Sequence, residues 1–302
     1  MEYYILIFIA DFLIAGQFSF NKLYEHKLAR SNGDFLILPV LAALINCILF
    51  LVLNKFTLAF GTFSFGMAIL NAFVQASSMV CGILVVRLGN VSVYTMFMML
   101  GGMLLPYLYG VAFLCEKPSV FQIIGLFVLI AALILFALPP KNAEKKSTHK
   151  LFYVLCFLVF FLNGASSIIA KAHQINKAAI PTYDFLVWSY MMQFILTFVC
   201  FGVGQLIGRR KVAEGQPSLC IRSNPWMTVL VSAGYAICMG VGNLLLLTAV
   251  IHLPASVQYP IVTGGSIIIT TIVARIAFKE KIGLMTLIGL GLMFAGVLLF
   301  IF

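Results

Sequence analysis

One acidic residue interrupts the first apolar segment of the chain. Asp11 lies near the middle of the run 3–21, and a charged side chain at the centre of a bilayer costs about 2.5–3.5 kcal/mol on insertion scales. Because membranes tolerate few such residues, those present usually serve as proton relays or counter-charges. We therefore expect Asp11 to be a proton-coupling group or a counter-charge for a cationic solute. The structural alternative is a protonated Asp11 that is hydrogen-bonded to a neighbouring helix.

Uncharged polar residues recur at helical spacing on several other apolar segments. Steps of three, four and seven residues place them on one side of each helix, and that side must face protein or water because lipid leaves polar groups unpaired. Interhelical hydrogen bonds would explain any single serine or threonine, whereas the amides taken together favour a central cavity. The expected solute-binding residues are Gln17, Asn21, Asn71, Gln75, Asn163, Ser167, Tyr235, Asn243, Tyr259, Thr263 and Ser266.

The composition indicates which elements hold these residues. Of 302 residues, 63% are hydrophobic and 9% are charged, against roughly 25% charged residues in a soluble domain. A spanning helix needs about 20 mostly apolar residues. The sequence therefore predicts an all-α polytopic membrane protein with ten transmembrane helices, near 3–21, 35–53, 57–86, 90–113, 119–138, 151–172, 182–206, 226–250, 254–276 and 283–302.

The basic residues are concentrated in the connections between these segments. The odd-numbered connections carry 15 Lys and Arg residues and the even-numbered ones carry 4. By the positive-inside rule, the odd connections face the cytoplasm and both termini face out. A net charge of +10 with this distribution indicates topology rather than nucleic-acid binding. The seven cysteines form no CxxC pair, so we expect neither a disulfide framework nor a metal site. No cofactor is expected.

The chain also contains an internal repeat. When it is shifted by 164 residues, 92–136 aligns without gaps on 256–300, with eleven identities in 45 positions that include Gly101/Gly265 and Glu116-Lys117/Glu280-Lys281. We expect these two Glu-Lys turns to close helical hairpins, and Gly125 and Gly289 to allow close helix packing. Two halves, 1–145 and 146–302, would each hold five spans. Because five is odd, the second half would insert with inverted topology, as in many secondary transporters.

At these residues the sequence resembles the drug/metabolite transporter superfamily, in its ten-helix EamA-like branch. The stretch LPASVQYPIVTGGSIIITTIVARIAFKEKIGLMTLIGLGLMFAGVLLF carries the resemblance best, and CEKPSVFQIIG is its weaker counterpart in the first half. The resemblance implies a 5+5 inverted-topology repeat and passage of small organic solutes. It also implies cytoplasmic termini, against the charge distribution. Small multidrug transporters of the same superfamily are similar in having one acid in their first helix.

These observations favour a secondary-active exporter or exchanger in the cell membrane that works by alternating access. The alternatives are a facilitative, channel-like pore and a structural membrane protein without transport. An enzyme is not expected, because no deep histidine or acid cluster is present, and neither is an ATP-driven pump, because the chain lacks GxxxxGK[ST]. Phosphate-bearing cargo calls for Arg or Lys in the site, so neutral, zwitterionic or cationic solutes remain. The sequence leaves open whether two copies form a homodimer.

Overall fold

The computed structural model describes residues 2–28, 32–88, 91–137, 150–213, 224–277 and 283–301. These residues form ten helices and contain no strand. Continuous apolar segments become helices because a backbone in lipid must satisfy its hydrogen bonds within the segment. The helices are α1 (Glu2–Lys27), α2 (Asn32–Leu53), α3 (Thr62–Leu88), α4 (Val91–Phe113), α5 (Val120–Ala137), α6 (Lys150–Gln174), α7 (Thr182–Ala213), α8 (Pro225–His252), α9 (Ala255–Ala277) and α10 (Leu284–Leu299).

Eight of these helices are long and apolar enough to cross a membrane. In the most apolar 18-residue stretch of each helix, between 22% and 33% of the residues are buried within the protein. The remaining residues can face lipid. The other two, α5 and α10, are apolar but shorter. The 16 residues of α10 extend about 24 Å, less than the roughly 30 Å of the hydrocarbon core. The ten predicted segments are thus all helical, and eight have the length of a full span.

The third helix begins later than the sequence pattern predicts. The apolar residues after Lys55 form a loop, because φ is 53° at Lys55 and 59° at Phe56, values that a right-handed helix does not adopt. Asp184, in the first turn of α7, holds this loop. Its Oδ1 accepts hydrogen bonds from Asn54 Nδ2 at 2.7 Å and from the Ala59 amide at 2.9 Å. Hydrophobicity alone does not reveal such a turn.

The chain divides into two compact units. Unit 1 comprises Met1–Phe12, Ser77–Ile175 and Leu245–Phe302, and unit 2 comprises Leu13–Ala76 and Asn176–Leu244. The boundaries fall within α1, α3 and α8, so each of these helices contributes residues to both units. The units are groups of residues in mutual contact, whereas the predicted halves, 1–145 and 146–302, are defined by the sequence repeat. The two divisions differ, and the halves stay a prediction.

Unit 1 is built around close contacts between α4 and α6 and between α5 and α10. A β-carbon on Gly101 of α4 would overlap the carbonyl oxygen of Phe160 in α6, and one on Gly164 would come within 2.6 Å of the Gly101 carbonyl oxygen. A β-carbon on Gly125 of α5 would likewise lie only 3.0 Å from the carbonyl oxygen of Gly296 in α10. The expected close packing at Gly125 is therefore present, with Gly296 as its partner glycine. The second Glu-Lys turn, at 280–281, lies outside the described residues.

Unit 2 pairs α2 with α7. The Phe50 ring of α2 stacks on the Tyr190 ring of α7, with centroids 5.7 Å apart and an interplanar angle of 2°. Both side chains are almost completely buried, so the stack fixes the spacing of the two helices. A second apolar cluster joins α1, α2 and α8 through Tyr24, Leu28, Leu38 and Val231.

Candidate functional site

Asp11 is buried within unit 1. Its residue surface is 2% exposed, and its Oδ1 has no hydrogen-bond partner among the described residues. One turn earlier, Ile7 belongs to the same apolar cluster as Ile261 of α9, so this face of α1 packs on α9. There the carboxyl group lies against Gly265, where a β-carbon would overlap Oδ2. Glycine at 265 therefore provides the space that the carboxyl group occupies.

A chain of hydrogen bonds in unit 1 joins three of the predicted residues. Asn163 Nδ2 donates to the carbonyl oxygen of Met98 at 2.7 Å, Ser167 Oγ to that of Asn163 at 3.4 Å, and Tyr259 OH to that of Ser167 at 2.7 Å. The first and last bonds connect α6 to α4 and to α9. Asn163 and Tyr259 thus position helices in this conformation.

Two further predicted residues lie on α9. Ser266 is buried, and its hydroxyl donates to the carbonyl oxygen of Thr263 one turn earlier, at 3.2 Å. Thr263 itself is half-buried. Both residues lie within two positions of Gly265, the residue that contacts Asp11. The α9 segment around Gly265 is therefore the part of unit 1 where Asp11 and small hydroxyl side chains occur together.

In unit 2, two predicted residues bind tyrosine hydroxyls. Gln17 Nε2 of α1 donates to Tyr235 OH of α8 at 3.2 Å. Asn243 Nδ2 of α8 donates to Tyr190 OH of α7 at 2.9 Å. Because Tyr190 also stacks on Phe50, the second bond links α8 to the α2–α7 pair. These amides satisfy part of their hydrogen-bonding capacity within the protein.

The remaining three predicted residues also belong to unit 2. Asn21 donates to Glu25 Oε1 at 2.8 Å, a bond along its own helix. Asn71 and Gln75 of α3 are half-buried, and each interacts with another residue. The structure thus places Asp11, Asn163, Ser167, Tyr259, Thr263 and Ser266 in unit 1 and the other six predicted residues in unit 2. That the two sets line one cavity stays a prediction.

Sequence reasoning missed Asn46, a polar residue in the core of unit 2. Asn46 of α2 is 0% exposed, and neither atom of its amide group has a hydrogen-bond partner among the described residues. Its Oδ1 lies against Gly240 of α8, where a β-carbon would overlap it. An amide inside an apolar run is itself a signal, because buried polar groups are normally paired. Asn46 belongs to no helical stripe, so periodicity did not select it.

Glu116 has a larger role than the expected hairpin turn. The turn is tight, since φ is 55° at Cys115 and the Glu116 amide donates to the Gly110 carbonyl oxygen at 3.0 Å. The side chain then reaches the start of α9. Its Oε1 accepts the amide hydrogen of Ala255 and its Oε2 that of Ser256, both at 2.8 Å. A carboxylate thus satisfies two amides of the first turn, which have no partner within the helix.

Lys171 of α6 binds the C-terminal end of α8. Its Nζ donates to the carbonyl oxygens of Val250 at 2.7 Å and Leu253 at 2.9 Å. The residue is 5% exposed and lies inside α6. Lys171 is one of the four basic residues that the sequence pattern assigns to even-numbered connections, and this assignment is wrong because the ammonium group is enclosed by protein.

Within the described residues, no group of three or more His, Cys, Asp and Glu side chains is placed to hold a metal ion. The polar groups found here offer amide, hydroxyl and carboxyl contacts. Such contacts suit recognition of a solute or a proton.

Comparison with known proteins gives a family likeness in the C-terminal part. Residues 222–293, which include α8, α9 and most of α10, match the family model described as Small Multidrug Resistance protein. No curated protein matches the chain. A solved structure described as a crystal structure of a protein superposes with a TM-score of 0.66 at 12% identity, covering 97% of this chain and 94% of the other. The chain is thus a multi-pass helical membrane protein that shares its fold with that structure and resembles a multidrug transporter family over one segment.

Proposed function

We propose that the chain is a secondary-active transporter, an exporter or exchanger of small organic solutes that works by alternating access in the cell membrane. We place it in the EamA-like branch of the drug/metabolite transporter superfamily. Its halves, 1–145 and 146–302, would form a 5+5 inverted-topology repeat. The ten helices and the match to the small multidrug family over 222–293 support the proposal.

The pattern of helix contacts supports a repeat of five helices. In a five-helix repeat, α9 and α10 of the second half correspond to α4 and α5 of the first half. The helices of both pairs are in contact. Corresponding helices also pair with each other, α2 with α7, α4 with α9 and α5 with α10. Gly101 of α4 packs on α6, while Gly265, its counterpart in the sequence repeat, packs on α1. At these two glycines, the fourth helix of each half lies against the first helix of the other half, which supports a repeat of this kind.

The burial of Asp11 is the observation that carries the functional proposal. An ionised carboxylate without water or a cation is strongly disfavoured in a low-dielectric interior. The Asp11 side chain is almost fully buried, and its Oδ1 has no hydrogen-bond partner among the described residues. We infer that Asp11 holds a proton in this conformation. If the carboxyl group meets water or a cationic solute in another conformation, it can release that proton, which couples the two movements.

The polar groups around these positions define the expected solute. The candidate binding groups are amides, hydroxyls and one carboxyl, and the buried Lys171 ammonium is occupied by two backbone carbonyls. Recognition of a phosphate group would need an available cationic side chain. The site therefore suits neutral, zwitterionic or cationic solutes. Ethidium, a planar cation, is a suitable first probe, followed by neutral and zwitterionic metabolites in a ligand-stabilisation screen.

Transport by reconstituted protein tests the role of Asp11. Electroneutral exchange of one proton for one monovalent cation predicts about tenfold ethidium accumulation per unit of pH gradient, because both correspond to about 1.4 kcal/mol. We expect Asp11→Asn to abolish this accumulation and Asp11→Glu to retain part of it. Asp184→Asn is the matched control, because Asp184 binds the α2–α3 loop, and its pH response should equal that of the wild type.

The same vesicles distinguish the alternatives. Saturable counterflow of labelled ethidium indicates a carrier, whereas conductance without saturation indicates a channel-like pore. The absence of both indicates a structural protein without transport. If ethidium is inert, the solute found by the screen replaces it. If Asp11→Asn transports with the full pH dependence of the wild type, proton coupling through Asp11 is refuted. If Asp11→Asn loses cation binding and transport by the wild type does not depend on pH, Asp11 has the counter-charge role.

A further inference from the structure

The turn between α8 and α9 is held by two side chains of opposite charge, neither of which belongs to the predicted site. Glu116 binds the first amides of α9, and Lys171 binds the last carbonyls of α8. A helix carries partial positive charge at its N-terminus and partial negative charge at its C-terminus. Each side chain therefore meets the helix end of opposite sign, and the two charges also attract each other.

The backbone keeps both charged groups in place. Glu116 follows the sharp turn at Cys115, and its carboxylate lies over Gly110, where a β-carbon would overlap Oε2. Lys171 extends from the last turns of α6 and is almost fully buried. Removing either partner would leave a charge with fewer contacts in a poorly solvated place, which is strongly destabilising. We call the four hydrogen bonds that Glu116 and Lys171 make to the α8–α9 turn the charge clamp.

The charge clamp adjoins the polar residues of α9. Tyr259 lies one turn after Ala255, and its hydroxyl donates to the carbonyl oxygen of Ser167, one turn before Lys171 on α6. Lys171 thus joins α6 to the end of α8, and Tyr259 joins α9 to α6 one turn away. Gly265, which contacts Asp11, lies farther along α9.

We propose that Glu116 and Lys171 are positioning residues, which set the height and rotation of α9 and thereby place Tyr259 against α6 and Gly265 against Asp11. The relevance to solute rests on the proposed transport function, whereas the positioning of α9 does not. A local helix cap would affect only the turn that it binds. A positioning clamp must also change the strength of the next contact along α9.

A double-mutant cycle on thermal unfolding separates these two roles without any solute. Glu116→Gln loses one acceptor, and Tyr259→Phe loses the bond to Ser167. If the clamp positions Tyr259, the double variant loses less stability than the sum of the two single variants, because the tyrosine bond is already weakened. We expect each single variant to lower the melting temperature by several degrees. Tyr190→Phe, which removes a tyrosine contact in unit 2, serves as the matched control and should be additive with Glu116→Gln.

Lys171→Met combined with Tyr259→Phe repeats the cycle if Glu116→Gln fails to fold. Lys171→Arg should recover part of the loss, because it keeps the charge at the end of α8. Additive losses in whichever cycle is measured would overturn the positioning role. In the transport assay, a changed KM or maximal rate for Glu116→Gln extends the proposal to solute handling, and unchanged values refute that extension. Absence of transport by the wild type would refute the proposed function and leave the unfolding cycle valid.

Discussion

Asparagine side chains occupy two different environments in this protein. The amide of Asn163 donates to the carbonyl oxygen of Met98, whereas that of Asn46 is fully buried with no partner among the described residues. An unsatisfied buried polar group costs about 1–3 kcal/mol, while a satisfied one contributes about 1 kcal/mol. Asparagine therefore stabilises the folded protein at position 163 and destabilises it at position 46.

Replacement by leucine, which is similar in shape to asparagine, should act with opposite sign at these positions. We expect Asn46→Leu to raise the melting temperature by about 3–6 °C and Asn163→Leu to lower it by about 2–4 °C. Thermal unfolding of the purified variants in detergent measures both shifts. A lower melting temperature for Asn46→Leu would mean that Asn46 binds water or solute, and its amide would then join the candidate site.

The sequence identified Asp11 because an acid within an apolar run is conspicuous in any fold. It identified Gln17, Asn163, Tyr235 and Asn243 because helical periodicity places each of them on the polar face of its own helix. All four bind residues of other helices. It did not identify the partners, because a residue number does not reveal which helix lies opposite. The bonds of Glu116 and Lys171 to the α8–α9 turn depend on that arrangement.

At the scale of elements, packing depends on where a helix presents backbone instead of side chain. Gly101 contacts the Phe160 carbonyl oxygen directly, and a backbone atom cannot move aside as a flexible side chain can. Among the described residues, no other part of the protein lies within 4 Å of the β-carbon position of Gly66 in α3. The two helical glycines therefore differ in packing while sharing the same intrinsic penalty of about 1 kcal/mol relative to alanine.

Alanine substitution should separate the two glycines. We expect Gly101→Ala to destabilise by about 2 kcal/mol or more, because it forces α4 away from α6. Gly66→Ala should be neutral or stabilising by up to about 1 kcal/mol. Urea or thermal unfolding compares the variants with the wild type. Equal effects would show that the α4–α6 contact yields without strain.

Helix boundaries show where hydropathy stops being informative. The apolar residues after Lys55 satisfy any hydropathy criterion, yet they form the loop that Asp184 holds. Positive φ values and a distant carboxylate determine that loop, and neither is a property of local composition. The existence of ten helices could be predicted because lipid enforces it, whereas the start of α3 could not.

At the scale of the whole molecule, the sequence gives two conflicting orientations. Charge distribution puts both termini outside, and family resemblance puts them inside. Of the four basic residues assigned to the even connections, Lys171 is buried, whereas Lys55, Lys117 and Lys177 are exposed. Because the positive-inside rule depends on charges that remain in short loops near helix ends, we expect the odd connections to be cytoplasmic.

Single-cysteine labelling in intact cells tests this orientation. In a variant with its native cysteines replaced by serine or alanine, Lys177→Cys marks an even connection, where residue 177 is exposed, and Lys145→Cys marks an odd one. A membrane-impermeant maleimide should label the former in intact cells and the latter only after permeabilisation. The reverse pattern would favour the orientation of the resembling family and show that charge alone does not set topology here. Labelling of both sites in intact cells at equal efficiency would indicate dual insertion, which a duplicated fold with halves of opposite orientation tolerates because inverting the chain exchanges the places of the two halves.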